Sequence, residues 1–347
     1  MKALLFAAHG KASVLQYTET KDPEAGADDA IVRVHVSALN RIDIVQRAGA
    51  YTVPGFQLPH IGGLDIAGEI AYLGAKAAQD RPWQIGDRVI VNPSLSNVSA
   101  ASSLCNRDDL YGELGVIGLN AHGGHAELCV APASHLHRLP ASMPFTTAAV
   151  FPTAWMTAHH GLFSIGKLKQ GEIVLIHAAA SGVSSAAIQL AKAAGAIVLA
   201  TAGSPEKCAH ATALGADAVA VNRDNDLVSW VRDHSGGHGA NMVLDHVGPA
   251  LWEMSLFAMA PRARLVSCGN TTGDSVSIPS IGHLFSQGLQ ILGSDAYRYS
   301  EFAPAWAHFC DNNFEPCIDT VYDLIDGAKA HQRLEQDLAV GKLILSP

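Results

Sequence analysis

From residue 146 onward the sequence alternates continuous apolar runs with segments of helical spacing, and this alternation limits the possible folds more than any other feature. Runs such as EIVLIHAAA, IVLATAG, DAVAVN and ANMVLDHVG are rich in aliphatic residues, and helical segments such as SSAAIQLAKAAGA and PEKCAHATALGA separate them. Unbroken apolar runs are typical of strands buried on both faces, and helices between successive parallel strands provide that cover. The pattern predicts an α/β domain built on a doubly wound parallel sheet.

The residues before about Pro140 show a different pattern, with short strand-like runs between turns rich in Gly and Pro. AIVRVHVSAL alternates apolar and polar residues, and DRVIVNP ends at a proline, as expected for the strands of an irregular domain. The last strand-like run, GKLILSP, has no place in the repeat of the α/β half. We therefore expect a strand-rich domain at residues 1–149 and 299–347 and the α/β domain at residues 150–298.

Charge and composition exclude several classes of partner. The 347 residues carry a formal net charge of −9, and the 23 Lys and Arg residues are scattered. The sequence therefore has no basic cluster of the kind that binds nucleic acid or an anionic membrane. No apolar run approaches the roughly 20 residues that span a bilayer. Six cysteines in a chain of this length do not indicate a disulfide framework, so we expect a reducing, cytoplasmic location.

A corner of small residues joins the first strand of the α/β half to its first helix. In AAASGVSSA the residues Ser181, Gly182 and Val183 lie where a dinucleotide's pyrophosphate approaches backbone N–H groups at a helix N-terminus. The match to G-x-G-x-x-G is poor, but the strand before and the helix after are both clear. The alternative is a tight strand-to-helix turn with no ligand.

The end of the second strand indicates which dinucleotide binds. A carboxylate there accepts hydrogen bonds from the ribose of NAD, whereas small or basic residues admit the 2′-phosphate of NADP. No carboxylate occupies this position, so NADP(H) is favoured; Lys207 could also be a solvated helix residue. The candidate cofactor contacts here are Thr201, Ala202, Gly203, Ser204 and Lys207.

Several segments taken together resemble the medium-chain dehydrogenase/reductase superfamily, and within it the zinc-independent quinone oxidoreductase branch. They are SALNRIDIVQRAGAY, LPHIGGLDIAGEIAYLG, IGDRVIVNP, GGHAELCVAPASHLHRLP, AAVFPTAWMTAHHGL and TAGSPEKCAHATALGADAVAVN, together with the corner above. The resemblance runs from end to end. It implies a Rossmann dinucleotide-binding domain, a GroES-like substrate domain and hydride transfer with a nicotinamide cofactor.

The superfamily also contains zinc alcohol dehydrogenases, whose catalytic zinc needs three protein ligands and an open position. The positions that match those ligands hold Asn40, Leu64 and Thr153, with Asp65 beside the lost histidine. None of these makes a plausible zinc set, so we expect no catalytic metal. The family's structural zinc is lost in the same way, because the matching positions hold Asn97, Ala100, Ser103 and Tyr111.

Histidines are the remaining candidates for metal binding. Those in HGGH and HLH, His122, His125, His135 and His137, have spacings that could suggest ligands. The segment nevertheless matches an ordinary strand of the family, so we expect no metal site there.

Without zinc, the substrate must be electrophilic already. A quinone or an α,β-unsaturated carbonyl delocalises the incoming charge onto an oxygen, where one or two hydrogen-bond donors suffice. The expected substrate is a quinone, enone or enal, and an enoyl thioester is hard to distinguish from these. The candidate catalytic residues are Asn40, Tyr51 and Asp65, although Tyr51 could also be a packing residue at a turn.

The resemblance implies further cofactor contacts and a homodimer or tetramer formed through the edge strand LQILGSDA. A zinc-type alcohol dehydrogenase and a nucleotide-binding protein with little catalysis remain as alternatives. For Cys268 a role as a small buried filler is also open. The implied contacts are Thr157, Asn222, His246, Val247, Cys268, Gly269, Asn270 and Lys342.

Overall fold

The computed structural model describes residues 1–80, 83–95, 115–222, 226–295, 297–312 and 314–347. The chain divides into two compact units, one formed by Met1–Ala154 with Arg298–Pro347 and the other by Trp155–Tyr297. The positions discussed above for a structural zinc, Asn97, Ala100, Ser103 and Tyr111, lie outside the described residues. No helix in the described part of the chain is long and apolar enough to cross a membrane.

The first unit is built mainly from antiparallel strands. Its described strands form a small sheet in the order β2-β1-β4 and a larger one in the order β15-β16-β3-β5-β6-β8, in which β7 also pairs with β3. The strands are β1 Lys2–Phe6, β2 Leu15–Glu19, β3 Asp29–Ala38, β4 His60–Ile61, β5 Asp65–Leu73, β6 Arg88–Val91, β7 Leu128–Pro132, β8 Leu136–Arg138, β15 Ile318–Asp323 and β16 Lys342–Ser346.

Helices close the ends of this unit, and alternate residues of β3, β5 and β6 supply its core. Val32, Val34, Ile66, Ile70 and Val89 are buried in one cluster. Strands that present one face to a core alternate in this way. The helices are α1 Arg41–Ala48, α2 Ala75–Asp80, α3 Phe145–Ala149, α10 Tyr299–Asp311 and α11 Gly327–Glu335.

The second unit is a parallel sheet with helices between its strands. Its described strands lie in the order β11-β10-β9-β12-β13-β14, and every pairing is parallel. Counted within the unit this is the doubly wound order 3-2-1-4-5-6 of dinucleotide-binding domains. The strands are β9 Ile173–Ile176, β10 Ile197–Ala202, β11 Ala218–Val221, β12 Ala240–Asp245, β13 Met259–Ser267 and β14 Gln290–Gly293.

The helices of the second unit begin at residues suited to capping. Ser181, Ser204, Asp226 and Ser280 each precede a helix and accept a hydrogen bond from a backbone N–H of its first turn. The helix α4, Met156–His159, lies between the π-helical segments Phe151–Trp155 and His160–Ile165. The others are α5 Gly182–Ala193, α6 Pro205–Ala213, α7 Leu227–Asp233, α8 Pro249–Ala258 and α9 Ile281–Gln287.

The doubly wound α/β fold expected from the apolar runs is confirmed. The two compact units meet at 154/155 and 297/298, whereas the sequence predicts domain boundaries at 149/150 and 298/299. One strand of the tail was not anticipated. β15 pairs in parallel with β16, and its residues are intermediate or exposed, so the apolar signal of a buried strand is absent there.

Candidate functional site

Three polar residues meet in the first unit because strand β3 pairs with strands on both of its sides. Ala38, at the end of β3, is the register partner of Asp65 on β5 and of Ile344 on β16. Asn40 follows two residues after Ala38 and precedes α1, while Lys342 is the first residue of β16. The sheet register therefore brings a carboxamide, a carboxylate and an ammonium to one place.

These three side chains, with Thr153, form what we call the lysine cluster: Asn40, Asp65, Thr153 and Lys342. The Lys342 ammonium donates to Asp65 Oδ2 at 2.8 Å and to Asn40 Oδ1. Asn40 Nδ2 donates to the same Asp65 oxygen at 3.0 Å, and the Thr153 hydroxyl donates to Asp65 Oδ1. Both oxygens of the carboxylate are thus satisfied.

Burial makes the charges of the cluster strongly interdependent. The side chains of Lys342 and Asp65 are 6% and 0% exposed. Removing two charges from water costs several kcal/mol each, and a close, fully hydrogen-bonded partner is needed to offset that cost. Each charge therefore requires the other.

Asp43 is a neighbouring carboxyl that sequence reasoning did not single out as a site residue. It lies in the first turn of α1 and accepts from the backbone N–H of Asn40 at 2.8 Å and of Gly63 at 3.0 Å. Burial raises its pKa to about 7 despite these two hydrogen bonds, and the charge of Asp65 adds to the rise. The spacing Asn-x-x-Asp ahead of an apolar helix is a capping signal that could have revealed it.

The catalytic zinc implied by the superfamily does not fit the residues at the matching positions. Leu64 is aliphatic and packs with Val53, Val116 and Leu119, and the side chains of Asn40 and Thr153 are hydrogen-bonded within the lysine cluster. The Lys342 ammonium already contacts oxygens of Asn40 and Asp65, and its positive charge would repel a metal cation at the same place. In the described part of the chain no group of three or more His, Cys, Asp or Glu side chains could hold a metal ion.

Two other candidates lie in different surroundings. Tyr51 follows α1 and is 42% exposed, unlike the buried lysine cluster. Thr157 is half-buried in the short helix α4 of the second unit. The structure brings Asn40, Asp65 and Lys342 together, which joins two catalytic candidates with one that was assigned to the cofactor.

In the second unit, the small-residue corner lies beside the point where the strand order reverses. Strand β9 lies between β10 and β12, so the chain turns in opposite directions after β9 and β12 and leaves a crevice at their carboxyl ends, where ligands bind in such sheets. Ser181 caps α5 after β9, and His246 follows β12. His246 Nε2 lies 3.0 Å from Ser181 Oγ and 2.9 Å from Ser184 Oγ. These contacts bridge the two sides of the crevice.

The hydroxyl of Thr201 faces the interior of the sheet. Thr201 is fully buried, and its Oγ1 lies 2.9 Å from Nδ1 of His177, whose Nε2 lies 2.8 Å from Ser255 Oγ. Burial lowers the pKa of His177 to about 3, so the ring is neutral and links β9, β10 and α8. Any cofactor contact of Thr201 must use its backbone, and the histidine in IHAAA was the signal that sequence reasoning passed over.

The end of β10 is followed by open space at Gly203 and by the N-terminus of α6. A Cβ built on Gly203 meets no atom within 4 Å, Ala202 is buried, and Ser204 Oγ accepts from the backbone N–H of Lys207 at 3.3 Å. Across from it, the Oδ1 atom of Asn222 is buried and has no hydrogen-bond partner among the described residues. An orphaned buried acceptor directly after β11 fits a bound donor such as the adenosine of a dinucleotide.

The loops after β12 and β13 supply the remaining candidates. The Asp245 carboxylate accepts from the backbone N–H of Val247 at 2.7 Å, which fixes the turn. Gly269 lies where an added Cβ would be 3.0 Å from His246 Cβ. The amide of Asn270 donates to Asp274 at 2.9 Å. Burial raises the pKa of the Cys268 thiol to about 12, which disfavours a reactive thiolate at this position.

Comparisons with known proteins identify the family. Two family models match, the alcohol dehydrogenase GroES-like domain over residues 26–141 and the zinc-binding dehydrogenase over residues 182–311. A quinone oxidoreductase from Pseudomonas aeruginosa is 30% identical, and the match covers 100% of this chain and 99% of that protein.

Solved structures extend the likeness to the whole fold. An NAD-dependent alcohol dehydrogenase has a TM-score of 0.94 at 33% identity, with complete coverage of both chains. A quinone oxidoreductase from Escherichia coli complexed with NADPH has a TM-score of 0.84 at 26% identity, again with complete coverage. The chain belongs to the medium-chain dehydrogenase/reductase superfamily, in its quinone oxidoreductase-like branch.

Proposed function

We propose that this protein is an NADP(H)-dependent oxidoreductase that reduces a quinone or an α,β-unsaturated carbonyl without a catalytic metal. The observation that carries the proposal is the lysine cluster. At the positions that match the family's catalytic zinc ligands, Asn40 and Thr153 are hydrogen-bonded to a buried Lys342–Asp65 ion pair. The site therefore presents a fixed ammonium group, paired with a carboxylate, where zinc-containing relatives hold a metal.

The cofactor assignment is supported by the second unit. The corner at Ser181–Val183 and the space beside Gly203 would hold the pyrophosphate and the adenosine end, with Ser204 and Lys207 near the 2′-phosphate. The E. coli quinone oxidoreductase of this fold is an NADPH complex. When bound, NADPH supplies the hydride, and the protein supplies binding, orientation and electrostatics.

The substrate class follows from how strongly the protein can polarise the substrate's oxygen. A zinc ion polarises an unactivated carbonyl or alcohol oxygen as a Lewis acid, and the lysine cluster offers hydrogen bonds in its place. A conjugated acceptor spreads the charge it gains, so that a hydrogen bond from a fixed cation is sufficient. A simple alcohol or ketone is the poorer fit.

A steady-state screen tests the proposal. NADPH and NADH would each be oxidised with benzoquinone, cyclohexenone and 2-hexenal, and NADP⁺ would be reduced with primary and secondary alcohols. We expect turnover of the conjugated acceptors with NADPH. Turnover confined to alcohols would support the zinc-type reading, and no turnover at all despite NADPH binding would support a nucleotide-binding protein with little catalysis.

The proposal extends to assembly and location. β14 is at the edge of the described sheet, and its residue Ile291 is 37% exposed. In the preceding helix α9, Ile281 and Phe285 are 67% and 75% exposed. An open apolar edge invites pairing with another copy, and a two-fold dimer closes it. We place such a homodimer, or a tetramer built from it, in the cytoplasm, where the free thiols of the chain would stay reduced.

A further inference from the structure

Nearly all hydrogen-bond donors of the lysine cluster have an acceptor, and the exception is on Lys342 Nζ. An ammonium has three N–H donors and no acceptor. Among the described residues, the Lys342 ammonium uses two of these donors, toward Asn40 Oδ1 and Asp65 Oδ2. One N–H of a nearly buried cation is therefore left over.

The other members have no donor to spare. The two N–H groups of the Asn40 amide point to Asp65 Oδ2 at 3.0 Å and to the carbonyl of Ala38 at 3.4 Å. The hydroxyl hydrogen of Thr153 goes to Asp65 Oδ1, and an ionised carboxylate only accepts. Asn40, one of the three catalytic candidates from the sequence, can therefore hold the ammonium in place but has no strong donor free for a substrate.

We propose that Lys342 is the catalytic hydrogen-bond donor, its third N–H bonding to the carbonyl oxygen of the substrate, with Asn40, Asp65 and Thr153 as positioning residues. This inference rests on the proposed function. The acceptor gains two electrons and a proton as hydride from NADPH, which leaves as NADP⁺, and the charge appears on the oxygen facing Lys342. A proton from solvent then completes the hydroquinone or the saturated carbonyl.

The geometry suits a donor of this kind. Donors that are already fixed where charge develops need no reorganisation during the reaction, and exclusion of water strengthens them. Two acceptors hold the ammonium against rotation: Asp65 Oδ2 on β5, 2.8 Å from Nζ, and Asn40 Oδ1 in the segment between β3 and α1. Its charge is only partly offset by Asp65, whose oxygens are shared among Lys342, Asn40 and Thr153.

The test uses a charge-balanced double variant, because Lys342→Met alone would leave the Asp65 carboxylate buried without a counterion. In Lys342→Met/Asp65→Asn both charges are removed together. The matched control is Lys76→Met/Asp28→Asn, which removes an exposed pair with side chains 62% and 69% exposed. The unfolding transition of each variant establishes that it is folded.

We expect Lys342→Met/Asp65→Asn, called the double variant from here on, to bind NADPH with unchanged affinity. Its kcat with cyclohexenone should fall roughly 10²–10³-fold, as for loss of an oxyanion donor. The loss should be smaller with the more electrophilic benzoquinone. Ethylammonium chloride should restore part of the activity of Lys342→Ala/Asp65→Asn. Retention of wild-type kcat by the folded double variant, or a loss confined to NADPH affinity, would overturn the inference.

A binding experiment separates this inference from the proposed function. The absorbance of 4-nitrophenolate reports its contact with a donor without any turnover. We expect the wild-type NADP⁺ complex to bind this oxyanion and the double variant to bind it at least tenfold more weakly. Binding that depends on Lys342 in an enzyme that turns over none of the acceptors would overturn the proposed function alone, and equal binding by both proteins would overturn the donor role.

Discussion

The Nζ atom of Lys342 lies 2.8 Å from Oδ2 of Asp65, and the two residues are 277 positions apart in the chain. The pair joins the first residue of β16 to the first residue of β5 through their common neighbour β3. Because the partners are far apart in the chain, the ion pair ties the C-terminal strand into the sheet as well as forming the candidate site.

Asp65→Asn should destabilise the protein strongly. The variant leaves the Lys342 ammonium buried without a counterion, and breaking a buried pair in this way costs about 3–5 kcal/mol. Urea unfolding at neutral pH measures the change. Asp28→Asn, which removes the exposed partner of Lys76, should cost less than about 1 kcal/mol. Equal effects of the two substitutions would contradict the buried ion pair.

The free energy of unfolding should fall as the pH is lowered below about 6.5, the ordinary pKa of histidine. Burial lowers the pKa of His125 and His177 to about 3 and of His60 to about 4. Between these values and about 6.5 the unfolded chain takes up protons that the folded chain does not. Asp43 has the opposite effect. Its pKa is raised to about 7, so its contribution to the free energy of unfolding is lost as the pH rises. The three imidazoles together have the larger effect.

His60→Gln tests this pH dependence at one site. The glutamine amide can keep the hydrogen bond that His60 Nε2 makes to the Gly118 carbonyl at 2.9 Å, but it cannot titrate. Urea unfolding at about pH 7.5 and about pH 5 should show a smaller loss of stability than in the wild type. His238→Gln, at an exposed position, should leave the wild-type loss unchanged; the same reduction in both variants would count against the explanation.

Gly63→Ala should be destabilising for a steric reason beyond its backbone conformation. Gly63 has a φ of +99°, and an added Cβ would lie 2.6 Å from Cδ2 of His125 and 2.8 Å from its backbone nitrogen. The control is Gly86, which has a φ of +89° with no atom within 4 Å of the added Cβ, so Gly86→Ala measures the left-handed strain of about 1–2 kcal/mol alone. Thermal unfolding should show a distinctly larger loss for Gly63→Ala, and matching losses would refute the clash.

Lys207→Ala should weaken the binding of NADPH and leave the affinity for NADH unchanged. The 2′-phosphate is the difference between the two cofactors, and a lost hydrogen bond to a charged group corresponds to about tenfold or more in Kd. Fluorescence titration of both reduced cofactors measures this, with Lys76→Ala, on the first unit, as the control. If both cofactors lose affinity equally, or neither does, Lys207 is not the phosphate contact.

Phe285→Glu should convert the expected dimer into a monomer. Phe285 is 75% exposed in α9, the helix that precedes the edge strand β14, and a carboxylate there cannot be buried against a second copy without a large cost. Light scattering of the purified protein measures the mass. Ile85→Glu, at a 70% exposed position on the first unit, should leave the mass unchanged. A monomeric wild type would contradict the proposed assembly.

The regular part of the fold was accessible from the sequence because its signals are local. The runs around β9, β10 and β12 carry unbroken apolar residues, and Ser181 and Ser204 are recognisable helix caps. β15 was missed because its residues are half-exposed and no buried face marks them.

The site was only partly accessible because its contacts join distant residues. Asn40 and Asp65 could be chosen by resemblance, but their bonds to Lys342 depend on which strands flank β3. No local pattern encodes that register. The contact of the Thr201 hydroxyl with His177 likewise follows from the packing of neighbouring strands. Thr201 therefore lies at the expected strand end, but its side chain faces the protein interior rather than a ligand.

The most direct test of the account is the zinc content of the active enzyme, measured by mass spectrometry of the protein after purification with and without chelator, alongside NADPH oxidation by benzoquinone or cyclohexenone. The account predicts full activity in preparations with far less than one zinc per chain, and no loss on chelation. Activity that rises and falls with one bound zinc per chain would contradict the claim that the Lys342–Asp65 pair stands in place of a metal.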